Sequence, residues 1–181
     1  KQTFEGMIYD QKDQRTGQVV KQIKLEKPIE VIFEGANLDV WKPIPSSEIK
    51  TIDLSEIPEQ FCFLCVGHWM QGAIGHDRKN IGLTVRNFYE AFKNKVGTKP
   101  ALILKTMSGP ATIMDRDDIL KKIENVRKDI SGNLPNIYFL HGEVEDKDMN
   151  HLYNHPKVKA MISLTKGEGF GRPLLEFTQT K

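Results

Sequence analysis

The sequence predicts an α/β fold, a parallel sheet covered by helices on both faces, and the prediction rests on two observations. Apolar runs of strand length recur at residues 61–66, 101–104, 137–140 and 158–164. Segments of helical period separate them at residues 81–95, 117–130 and 146–153. Strands that are apolar throughout are the kind buried on both faces, and strict β–α alternation supplies the helices that bury them.

Ahead of this regular region the pattern is weaker. The first 28 residues are polar and mixed in charge; their spacing predicts a short amphipathic helix over residues 3–9 and a break near Gly17. Ile29-Glu30-Val31-Ile32-Phe33 alternates as a short strand. Pro43, Pro45 and Pro58 bracket a stretch rich in Ser and Ile that reads as a linker. The expected organisation is a linker region over residues 1–60 and one Rossmann-like domain over residues 61–181. No internal repeat or low-complexity tract interrupts it.

Composition narrows the function classes. A chain of 181 residues is long enough for one ordinary domain. Lys and Arg total 26 against 24 for Asp and Glu, a near balance that argues against a nucleic-acid partner, whose binder concentrates basic charge on one face. No apolar run approaches a membrane span and the first residues form no hydrophobic signal core, so a soluble, cytoplasmic protein is expected. The only cysteines, Cys62 and Cys65, fall within one strand. Strand residues three apart point to opposite faces, so these two thiols cannot share a metal and are expected to be buried.

Parallel sheets of this kind bind ligands beyond the C-terminal ends of their strands, which directs attention to the loops there. The most informative is Lys166-Gly167-Glu168-Gly169-Phe170-Gly171-Arg172-Pro173-Leu174-Leu175-Glu176. Three glycines at alternate positions let the backbone approach a ligand closely. Pro173 suits the first turn of a helix, whose N-terminus favours phosphate. Glu168 lies before that helix and Glu176 about one turn inside it, and carboxylates accept hydrogen bonds from sugar hydroxyls. The competing account of such a loop is a glycine-rich turn with two solvated glutamates.

The stretch from Glu168 to Glu176 resembles the E-x7-E signature of family-four glycosyltransferases (glycosyl transferases group 1), retaining enzymes of GT-B fold that include bacterial glycogen synthases. Further motifs follow the family's order. Glu34-Gly35-Ala36-Asn37-Leu38-Asp39-Val40-Trp41-Lys42-Pro43 resembles its interdomain segment. Phe63-Leu64-Cys65-Val66-Gly67 and Arg78-Lys79-Asn80 resemble the first strand and the Arg-Lys-Asn turn of its C-terminal domain. Ile137-Tyr138-Phe139-Leu140-His141-Gly142-Glu143-Val144 resembles the strand and loop beside the nucleobase. The similarity spans residues 29–176.

The resemblance implies the incomplete C-terminal, donor-binding half of a GT-B enzyme, with a UDP-, GDP- or ADP-sugar as donor substrate and no metal or other cofactor. Lys79 would bind the diphosphate and stabilise charge as the nucleotide leaves. Glu168 would accept hydrogen bonds from the transferred hexosyl group. The amides of Gly169, Phe170 and Gly171 would contact sugar and phosphate, Glu176 would hold the ribose hydroxyls, and Val144 would lie against the base. The acceptor, a glycan, lipid or protein, would belong to an N-terminal domain that the chain lacks, so the fragment alone is expected to be inactive. Peripheral membrane association is compatible with the resemblance.

Three departures qualify it. His68 stands where the family places an arginine beside the lysine, and Arg78 or Lys105 is expected to supply the missing charge. The turn from His68 to Arg78 is long and includes Trp69, Gly72, Gly75 and His76. Lys105-Thr106-Met107-Ser108-Gly109 replaces a glycine-rich turn and reads either as a phosphate contact or as a surface turn. In addition the helix that contains Glu176 is expected to run on to Lys181, where the chain stops.

Other signals are set aside. His151 and His155 have a zinc-compatible spacing but no third ligand, and read as solvated surface residues. Asp115, Asp117 and Asp118 sit where helix N-terminal acids are expected. An NAD-dependent oxidoreductase would need Gly-x-Gly-x-x-Gly after the first strand, where the chain reads Gly67-His68-Trp69-Met70-Gln71-Gly72. A non-catalytic nucleotide-binding or scaffolding module derived from a glycosyltransferase remains the principal alternative.

Overall fold

A computed structural model describes residues 4–70 and 74–181, which divide into two compact units, Lys1–Gly35 and Ala36–Lys181. The first unit is an antiparallel hairpin of β1 (Ile8–Lys12) and β2 (Val19–Lys24), with Ile8 opposite Lys24 and Asp10 opposite Gln22. Its turn is organised by Asp13, whose carboxylate accepts from the amides of Arg15 and Thr16 at 2.9 and 2.8 Å, while Gly17 takes a φ of 70°.

The hairpin replaces the helix expected over residues 3–9. Thr3 lies outside the described residues, Phe4 to Gly6 form a turn, and the strand starts at Ile8. So short a helix is marginal by itself, whereas the β-branched Val19-Val20 beyond the Gly17 turn offers a ladder partner. The expected strand over residues 29–33 does not form. No second strand pairs with it among the described residues, and a strand forms only where its amides and carbonyls find such a partner.

The second unit is a Rossmann-like α/β fold. It runs β3 (Cys62–His68), α1 (Ile81–Phe92), β4 (Ala101–Met107), α2 (Ile113–Lys128), β5 (Ile137–Leu140), α3 (Asp146–Asn154), β6 (Val158–Met161) and α4 (Arg172–Thr178). The four strands are parallel in the order β5-β4-β3-β6. Side-chain alternation splits the core in two. Cys62, Leu64, Ala101 and Ile103 meet Leu152 and Tyr153 of α3, while Cys65, Leu102 and Leu104 meet Val85 and Phe88 of α1 and Ile119 and Val126 of α2. The cysteines therefore lie on opposite faces, both buried and free. Residues 36–60 contain only a short 3₁₀ turn, Ser46–Glu48, yet Trp41, Leu54 and Ile57 are buried in the α3-side core.

Element ends shift for identifiable reasons. α2 starts before residue 117 because Thr112 caps it, its Oγ1 accepting from the Asp115 amide at 3.2 Å. α1 stops at Phe92, two residues before Asn94 adopts a φ of 56°. β3 and β4 both run past their apolar stretches, pairing Val66 with Lys105 and His68 with Met107. No helix among the described residues is long and apolar enough to cross a membrane.

Candidate functional site

The chain runs outward from β3 to β4 to β5 and then returns to place β6 on the other side of β3. The crevice between β3 and β6 is thus the switch point of the sheet, where the following loops diverge and leave space for a ligand. A cavity of about 260 Å³ opens there, walled by the ends of β3 and β4, the β5–α3 loop, α3 and the start of α4.

Two loops are tied together beside the cavity. The Lys166 amide donates to the Arg78 carbonyl at 2.9 Å, and the Asn80 side-chain amide donates to the Leu164 carbonyl at 2.8 Å. Arg78 Nη1 donates to the Gly167 carbonyl at 2.7 Å, and the Lys166 ammonium donates to the carbonyl of Gly75. The turn after β3 and the glycine-rich loop after β6 therefore act as one surface.

On that surface Lys79 Nζ lies 2.6 Å from both carboxylate oxygens of Glu168. The two side chains are 14% and 21% exposed, so water only partly screens the pair, and Arg78 adds a second positive charge at 3.7 Å. Burial alone would push the Glu168 carboxyl up. The hydrogen bond and charge of Lys79, with the charge of Arg78, outweigh it and hold the group below its ordinary value.

Glu176 has the opposite character. It is 8% exposed, accepts from the Tyr153 hydroxyl at 3.3 Å on Oε2, and pairs with Arg172 at 3.1 Å on Oε1. Burial dominates and raises its carboxyl above the ordinary value despite Arg172 and Tyr153. Tyr153 is wedged between Trp41 and Phe177, each ring centroid 5.7 Å away, and burial followed by the charge of Glu176 pushes its phenol up. α4 itself opens on Gly171, at a φ of 80°, with Pro173 in its first turn.

The remaining expected residues divide clearly. His68, Lys79, Lys105, Val144 and Glu176 line the cavity, and Glu168 reaches it through Lys79. Arg78, Gly169, Phe170 and Gly171 do not form its wall; Gly169 and Phe170 are exposed on the loop. Between the two candidates for a second cation, Lys105 is the one on the wall. Its ammonium donates to the Gly142 carbonyl at 2.5 Å, and burial lowers its pKa against the charge of Glu143. Trp41, Met149 and Tyr153 also line the cavity and were missed: Met149 and Tyr153, at helical spacing, read simply as core, and Trp41 falls in the segment read as linker.

The turn after β4 is used internally. Asp115 accepts from the Ser108 amide at 3.1 Å, from the Ser108 hydroxyl, and from His141 Nε2 at 2.8 Å. Burial opposes ionisation here too, but the Ser108 and His141 hydrogen bonds prevail and lower the Asp115 pKa. Trp69 is 4% exposed, stacked so closely on Gly82 that a Cβ there would sit 3.1 Å from its ring; of its loop, Gln71, Gly72 and Ala73 lie outside the described residues.

The reading of His151 and His155 as solvated is corrected. His151 is 7% exposed, its Nδ1 2.8 Å from Thr51 Oγ1, and His155 is half-buried with Nδ1 accepting from the Lys157 amide. The packing of residues 36–60 onto α3 covers them, which helix periodicity cannot foresee. No group of three or more His, Cys, Asp or Glu positioned for a metal occurs among the described residues. Compared with known families and curated proteins, the chain matches no family model and no curated protein.

Proposed function

We propose that this cavity binds a nucleotide-diphosphate sugar and that the protein is a retaining hexosyltransferase of the family its loops resemble. The observation that carries the reading is the convergence of Lys79, Lys105 and Glu176 in one switch-point cavity, with Glu168 on Lys79 at its edge. A lysine ammonium provides a compact positive charge for a departing diphosphate, where charge grows in the transition state. Glu176, already fixed by Tyr153 and Arg172, accepts hydrogen bonds from vicinal ribose hydroxyls without first being ordered. Val144 offers an apolar surface to the base. The reading predicts a donor that keeps its anomeric configuration and a reaction that runs with an acceptor held elsewhere.

A second reading, a nucleotide-binding module without transferase activity, is favoured by His68 on the cavity wall where the resemblance expects arginine. Calorimetric titration with UDP, GDP and ADP tests both. Saturable binding of one nucleotide, lost in Lys79→Ala, supports the donor site and identifies the base. Absence of binding by the folded chain overturns it. Transfer of the sugar from the matching donor by the intact protein separates the enzyme from the module.

A further inference from the structure

The end of the sheet opposite the cavity carries a second hollow, built on a ladder of phenylalanines. Phe61, just ahead of β3, lies against Phe63 with ring centroids 5.0 Å apart, and Phe63 meets Phe92, the last residue of α1, at 5.8 Å. Phe92 in turn meets Phe88 of the core at 5.0 Å. The three outer rings, with Lys95, Lys99 and Pro100 of the α1–β4 loop, line a hollow of about 300 Å³. Phe61 is 43% exposed at its mouth. The charge around it has one sign. From residue 91 to residue 114 the chain carries four lysines and no Asp or Glu. The acids nearest the lining along the chain are engaged elsewhere. Glu59 accepts from Asn136 at 2.7 Å and from the Tyr138 hydroxyl at 3.0 Å, and Glu90 pairs with Lys93 at 2.5 Å. Among the described residues neither Lys95 nor Lys99 has a carboxylate partner; Lys99 donates to the Asn133 carbonyl at 2.9 Å.

We propose that this hollow docks an acidic peptide segment of a partner protein. The segment seats one aromatic side chain among Phe61, Phe63 and Phe92 and sets its flanking carboxylates against Lys95 and Lys99. Interfaces concentrate binding energy in such an anchor, held in an apolar pocket, while complementary charge at the rim steers the encounter and selects the partner. The two uncompensated ammonium groups make that complement acidic. The hollow is too small to accept a folded surface. Its rings are tilted against one another around a single recess, not spread along a track on which successive nucleic-acid bases stack. The nucleotide cavity lies at the other ends of the strands, so an occupant here leaves it open, and the inference stands apart from the donor-site reading.

Fluorescence anisotropy of a labelled Glu-Asp-Trp-Asp-Glu peptide, titrated with the chain, tests this. One control peptide has Ala in place of Trp, and a second has Lys in place of every acid. The acidic aromatic peptide should bind saturably and both controls about tenfold more weakly or worse, with the difference from the basic control shrinking in high salt. Phe61→Ala, and separately Lys95→Glu combined with Lys99→Glu, should each weaken binding about tenfold in chains whose circular dichroism is unchanged. The first variant truncates an exposed ring and the second changes only the rim, so a folding failure in one leaves the other as the test. No saturable binding, equal binding of the three peptides, or equal binding by the parent and the folded variants overturns the inference. Tighter binding of an oligothymidylate also overturns it, as does sedimentation in which the parent self-associates and Phe61→Ala does not, which would make the occupant a second copy.

Discussion

The hydroxyl of Tyr153 on α3 donates to Glu176 Oε2 on α4 across 3.3 Å, and the two residues share one wall of the switch-point cavity. Tyr153, 1% exposed, thus supports Glu176, 8% exposed, in a place where burial disfavours the charge. Arg172 supports the other oxygen from the same helix. Glu176 is held in one orientation by groups from two elements before any ligand arrives.

Removing the carboxylate should cost a charged hydrogen bond. Glu176→Ala is expected to weaken nucleotide binding about ten- to a hundredfold, and Tyr153→Phe, which removes one neutral donor, about three- to tenfold. Calorimetry on both variants, with far-UV circular dichroism unchanged, is the check. Equal affinity in Glu176→Ala would remove it from the ligand site.

The same residue should lower stability. Because burial raises the Glu176 pKa above its ordinary 4.5, its contribution is most favourable below that value and is lost as pH rises through the folded value. The charged and polar groups acting on it are Arg172 on its own helix and Tyr153 and Asp146 on α3, and Lys79 and Lys105 line the same cavity. Glu176→Gln, permanently neutral, is expected to have a higher Tm than the parent at neutral and alkaline pH, and the difference should vanish on acidification. A lower Tm at neutral pH would show that the pairing with Arg172 outweighs burial.

Asp115 joins the β4–α2 turn to the end of β5 through Ser108 and His141. Asp115→Ala leaves those donors without their acceptor and should lower the unfolding free energy by about 1–3 kcal/mol in urea at neutral pH. The pKa of Asp115 is depressed, so its stabilisation is present above the ordinary 3.8 and lost as pH falls through the folded value. The gap between parent and variant should therefore close in acid. A gap that persists in acid would assign the loss to packing.

The cysteines should be inert in the folded state. Burial pushes Cys65 up to about 12, and burial with the charge of Glu59 pushes Cys62 up, so neither thiolate is populated at neutral pH. A thiol reagent such as DTNB should modify neither in native buffer and both in guanidinium. Fast modification of one thiol in native buffer would show that its strand opens locally.

Much of the second unit was legible because buried parallel strands need continuous apolar runs. The run at 137–140 matches its strand, Ile137–Leu140, and the alternation of Cys62 and Cys65 follows from the pleat. Charged strand ends were not legible: Lys105 and His68 extend their strands into the cavity, and hydropathy stops at them. The pair formed by Lys79 and Glu168 joins residues 89 positions apart, a separation no local pattern spans.

By itself the sequence determined the class of fold and the order of strands and helices within the second unit. Those follow from local periodicity and backbone preference, which act over a few residues. Only the tertiary structure decided that the first residues pair as a hairpin, that residues 36–60 cover α3 and bury His151, and that Lys105 rather than Arg78 faces the cavity. Each of these depends on which distant backbone or side-chain partner satisfies a buried group, and that is settled only when the chain folds back on itself.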